Sequence, residues 1–99
     1  MIYSFSQVVT AAGTRVALTA TRTPASWATI KAIKTSGSAN TGNIYVGGDD
    51  VSSSLGYPLT PGQVLELPMA AGQTYIDLAE VYIDAGTSLD EVKVVYGRV

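Results

Sequence analysis

The chain predicts an all-β fold, a single antiparallel β-sandwich of about eight short strands with jelly-roll-like proportions. Runs rich in Val, Ile, Thr and Tyr alternate with turns bearing Gly, Pro, Asn and Ser, and strand starts recur about every 8–12 residues. The clearest passage is Asn43-Ile44-Tyr45-Val46-Gly47, closed by Gly48 and followed by a long polar loop. A Pro/Gly turn, Pro61-Gly62, then launches Val64-Leu65-Glu66-Leu67 with no helix between.

Residues 4–10 form the first expected strand, with Phe5 and Val8 or Val9 as its apolar points. Ala11-Ala12-Gly13-Thr14 turns it into residues 15–19, where Val16 and Leu18 share a face. The third strand spans residues 27–34. Strict alternation places Ala28, Ile30 and Ala32 on one side and Trp27, Thr29, Lys31 and Ile33 on the other. That mixed second face suggests partial burial on both sides. Residues 35–42 read as a flexible polar loop, 43–47 as the fourth strand and 48–56 as the longest loop. Residues 57–62 read as a turn, because Pro61 presets φ and Gly62 tolerates the positive φ of a type II turn. The fifth strand is 63–67, ended by Pro68, and Ala70-Ala71-Gly72-Gln73 turns into the sixth at 74–78. Residues 81–85 and 91–96 complete the set around the turn Gly86-Thr87-Ser88-Leu89-Asp90. Leu78, Val81 and Tyr82 also fit a helical spacing, but β-branched and aromatic residues dominate there and Gly86 follows at once, which favours strand. Trp27, Ile30 and Leu67 are the expected core anchors.

Ninety-nine residues suit one domain, read here as 1–99 with a short N-terminal arm at 1–5. Hydrophobic residues make up 46% and charged ones only 14%, against about 25% in ordinary soluble proteins. A surface so poor in charge is weakly defended against association. The formal net charge of −2 and six scattered Lys and Arg leave no basic stripe for nucleic acid. No apolar run approaches the ~20 residues of a membrane-spanning helix, and the start of the chain lacks the pattern of a signal peptide. The expectation is a protein made in a cytoplasm, with no nucleic-acid or membrane partner.

With no His and no Cys, a general base has to be a carboxylate, Lys or Tyr. Paired carboxylates serve glycoside hydrolysis, but short strands leave little room for a cleft. The acids therefore read as solvated groups at turns and strand ends, the protein as no enzyme, with no catalytic residue, metal or cofactor. Gly47-Gly48-Asp49-Asp50 contains fragments of a calcium-binding β-roll repeat and of a polymerase motif, and both lack their context. Trp27, Phe5 and five of the six tyrosines lie in or beside expected strands, where rings pack inward; Tyr57 with Pro58 is expected to anchor its loop.

Five passages in order resemble small structural proteins of tailed bacteriophages. They are Thr10-Ala11-Ala12-Gly13-Thr14 with its strand, Thr29-Ile30-Lys31-Ala32, Asn40-Thr41-Gly42-Asn43-Ile44-Tyr45-Val46-Gly47-Gly48, Gly56-Tyr57-Pro58-Leu59-Thr60-Pro61-Gly62 and Val81-Tyr82-Ile83-Asp84-Ala85. The likeness covers most of residues 7–85. It implies a virion β-domain, occurring alone or within larger fibre and capsid-associated proteins, made in the bacterial host cytoplasm. The expected function is a capsid decoration or cement protein that binds the major capsid protein, or other virion proteins, and copies of itself as a homo-oligomer, a trimer among the options. The alternative is a tail or head fibre module for a host receptor or carbohydrate. Expected contact residues are Met1, Ile2, Tyr3 and Phe5 of the arm, Asn40 and Asn43, Asp49, Asp50, Leu55 and Tyr57 around the long loop, and Tyr96 and Val99 at the C-terminal end.

Overall fold

The computed structural model describes residues 2–34, 36–67 and 76–98. Nine strands run through them: β1 (Ile2–Val8), β2 (Val16–Ala17), β3 (Pro24–Lys31), β4 (Ile44–Gly47), β5 (Tyr57–Leu59), β6 (Val64–Leu67), β7 (Ile76–Asp77), β8 (Tyr82–Ala85) and β9 (Glu91–Arg98). They form two antiparallel sheets. One has the order β1-β9-β3-β6, with β7 also on β3; the other has the order β2-β8-β4-β5. First strand beside last, second beside penultimate and β3 beside β6 is the winding of a jelly roll, so the expected fold class holds.

Alternation explains which residues meet between the sheets. Ala28 and Ile30 of β3 lie opposite Tyr96 and Val94 of β9, and opposite Leu67 and Leu65 of β6, all buried. From the second sheet, Ile44 and Val46 pair with Ala85 and Ile83, and Leu59 and Leu18 close the same cluster. Ile30, Ile44 and Ile83 are each fully buried. The type II turn stands where expected, with Gly62 at φ 88° and the Gln63 amide donating to the Thr60 carbonyl over 2.9 Å.

Several expectations need correction. Residues 2–5 are not an arm: they are the first half of β1, paired with β9 from Ile2 opposite Gly97 to Val8 opposite Glu91. The turn read at 57–62 begins with strand β5, because Pro58 on an edge strand gives up no bond to a neighbour on that side. Residues 78–80 form a 3₁₀ turn, not strand, capped by Asp77, while the expected turn at 70–73 lies outside the described residues. Residues 32–34 continue β3 only as bridges: Ala32 donates to Gln63, Gly62 donates to Ala32, and Ile33 pairs with Ala39.

Trp27 is the main error among the core anchors, since Ile30 and Leu67 are buried but Trp27 is 38% exposed. Alternation from the buried Ala28 sets the indole on the outer face, directly opposite Gly97, and the register shift just before it, between Ala25 and Trp27, leaves Ser26 exposed beside it. There the ring lies on the glycine: a Cβ at Gly97 would come within 2.3 Å of the indole Nε1. The alternation along β3 agrees with this, since it places Trp27 on the face away from Ala28 and Ile30.

Asp77 ties β7 to the start of β3. Its Oδ1 accepts from the Thr23 amide at 2.9 Å and the Ala79 amide at 3.0 Å, and the Arg22 Nε lies 3.9 Å from Oδ2. The Thr23 amide first, then that of Ala79, holds this carboxyl below its ordinary 3.8. A depressed folded pKa gives stability that is present above the unfolded value and lost as pH falls through the folded one. Asp77→Asn is expected to be less stable than wild type at neutral pH, with the gap closing on acidification below about pH 4. Urea unfolding across that range checks it; a gap unchanged down to about pH 2 would refute the assignment.

Candidate contact surface

Which sequence-predicted contact residues reach the surface is decided by the two pleats. On the inner face of β1, Tyr3 and Phe5 lie opposite Tyr96 and Val94. The Tyr3 ring stacks on Tyr96 at 5.5 Å and Phe5 meets it edge-on at 5.8 Å. Tyr96, at 8% exposure, is thus a core ring and not a contact residue, and Phe5 is partly buried against the same cluster. Met1 and Val99 lie outside the described residues.

Asn40 is also corrected. It is buried, its side-chain amide donates to the Glu91 carbonyl at 2.8 Å, and its Oδ1 accepts from the Glu91 amide at 3.0 Å. The side chain imitates a β-pair and fastens the loop to the start of β9. Asn43 is partly buried and its carbonyl accepts from the Gly86 amide. The acids are not uniformly solvated either. Asp90 and Asp84 are buried, Asp90 accepting from the Thr41 and Gly42 amides and Asp84 from those of Gly13 and Ala85. Sequence reading misses these roles because all but one of the donors, the neighbouring Ala85 amide, are far away along the chain.

The loop after β4 is pinned at its middle. Val51 is buried beneath Gly47 and Gly56, where a Cβ would come within 3.1 Å and 2.7 Å of its Cγ2. Ser52 and Leu55 exchange backbone hydrogen bonds, and the Ser52 Oγ accepts from the Ser54 and Leu55 amides. This arrangement holds Asp49, Asp50, Leu55 and Tyr57 outward, all exposed. No cluster of three potential metal-ligating side chains occurs among the described residues. Asp49 and Gly48 face Ala79, Glu80 and Tyr82 across an open groove of about 440 Å³, which joins segments too far apart in sequence to be read together.

The outer face of the first sheet is a second candidate surface. Ile2, Gly97 and Trp27 form one cross-strand row and Ser4, Val95 and Thr29 the next. Ile2 is 69% exposed and Val95 39%, so with Trp27 they make an apolar patch. Lys93 and Lys31 follow in the third row, and Glu66 of β6 stands beside Thr29, so charges of both signs border the patch. No family model, curated protein or solved structure matches the chain.

Proposed function

We propose that this protein is a non-enzymatic structural component of a tailed-phage virion, a capsid decoration or cement protein that binds the major capsid protein. The observation that carries the reading is the apolar patch of Ile2, Trp27 and Val95 on a rigid sheet face. Patches of this kind mark association surfaces, and the chain's low charge leaves the surrounding surface compatible with close packing. The five-passage likeness to phage structural proteins supplies the virion setting. Jelly rolls also serve as capsid domains, although fold alone does not decide function.

Particles lacking the protein are expected to assemble shells but to lose resistance to heat or osmotic shock. Trp27→Lys, which charges the patch, should reproduce that loss. The second reading, a fibre module for a host receptor or carbohydrate, is favoured by the exposed indole, which provides a stacking surface. Normal particle stability together with lost adsorption to cells would refute the cement reading and leave the fibre one.

A further inference from the structure

Sheet edges are where a sandwich is open to association, because their unpaired N–H and C=O groups accept another strand. Among the described residues the edges other than β1 are blunted, β7 being only two residues long. β2 is two residues long, β5 carries Pro58 at its centre, and β6 has four residues with the exposed Glu66 among them. β1 differs: it has seven residues without charge or proline and ends its sheet.

Its hydrogen bonds show which backbone groups face outward. The Val9 amide donates to the Asp90 carbonyl, so the main chain at Val9 faces the β9 side. The Val8 amide goes instead to the Gln7 Oε1 at 3.1 Å. Antiparallel alternation then turns Phe5 and Tyr3 toward β9, and Ser6, Ser4 and Ile2 toward the open edge. All three of the latter residues are exposed.

We propose that this edge is a homodimer interface, to which β1 of a second copy of this chain adds antiparallel across a two-fold axis at Ser4. The register sets Ile2 opposite the partner subunit's Ser6 and Ser4 opposite the partner subunit's Ser4. Three ladder pairs exchanging two bonds each give about six intermolecular hydrogen bonds. An axis at Phe5 would instead need the Val8 amide, which Gln7 occupies, and Gln7 Nε2 closes that end by donating to the Ala17 and Leu18 carbonyls.

A second copy fits better than a foreign strand for three reasons. The two-fold arrangement uses the outward groups of Ile2, Ser4 and Ser6 on both strands, and it closes. The edge strand has no charge, so the chain's net −2 is not brought to the contact by β1 itself. On the inner face Tyr3 falls opposite the partner subunit's Phe5, which extends the ring cluster around Tyr96 on both sides of the axis. So short an overlap falls in the size class of weak, transient interfaces, below the ~1,200 Å² of stable ones, so the dimer is expected to be reversible. This inference concerns the isolated chain and does not depend on the virion reading.

Sedimentation equilibrium of the full chain from about 1 µM to about 1 mM tests it. The expected result is reversible monomer–dimer exchange, with the Ile2, Ser4 and Ser6 amides gaining protection from hydrogen exchange as concentration rises. Ser4→Pro removes an outward donor and leaves the donors facing β9 intact; it should weaken the dimer by at least about tenfold while circular dichroism shows the fold retained. If Ser4→Pro does not fold, Ser4→Lys brings two like charges together at the axis and should give the same weakening. A monomer throughout, a trimer, or a dimer that the folded Ser4 variants leave intact overturns the proposal.

Discussion

Ile30→Ala is expected to destabilise the protein by about 2–5 kcal/mol, read as a lower urea midpoint at unchanged slope. Ile30 is fully buried, and its register neighbours, Val94 on β9 and Leu65 on β6, are buried as well. Truncation removes three carbons from a position held on both sides by hydrogen-bonded strands, so the cavity has little means of collapse. Trp27→Ala makes the informative contrast. It deletes more volume, but from an outer-face ring that is 38% exposed, so the loss should be smaller. A smaller loss at Ile30 than at Trp27 would refute this assignment of inner and outer faces.

That contrast also separates what sequence patterning reveals from what it hides. The period-two alternation from Ala28 to Ala32 identified the buried face of β3 correctly, because one face of a sandwich strand must be apolar and a slip of one residue would invert it. Much of the strand order is readable for the same reason, with β5 around Pro58, the 3₁₀ turn at 78–80 and the first half of β1 as the exceptions, and Gly62 marks its turn through the φ that the turn requires. The groups that organise the loops were not readable. Asn40 and Asp90 have polar side chains in turn-like sequence, where exposure is the ordinary outcome. They are buried because the fold brings the 40–42 segment against the start of β9, where Asn40 meets Glu91 and Asp90 meets the Thr41 and Gly42 amides. Likewise, the apolar patch needs Gly97 beneath Trp27, a juxtaposition created by the β3–β9 register, which sequence spacing within β3 does not encode.

Asp90→Ala should be among the more damaging changes outside the hydrophobic core, at about 1–3 kcal/mol. The carboxylate has no exposure, and its two oxygens accept from the Thr41 amide at 3.0 Å and the Gly42 amide at 2.8 Å. Alanine leaves both donors without their acceptor, at about 1–3 kcal/mol for each amide that stays buried. The loop has little freedom to turn them elsewhere. Asn40 clasps Glu91 on one side, and a Cβ at Gly42 would come within 2.7 Å of the Thr87 Oγ1 on the other. Asp90→Asn retains one acceptor oxygen but presents an NH₂ to the second amide, so its loss should be intermediate. Faster hydrogen exchange at Thr41 and Gly42 should accompany both variants, with the β3 amides slowed or quickened only in step with global stability. If Asp90→Ala costs less than about 1 kcal/mol, the carboxylate is not the group that holds the loop to the sandwich.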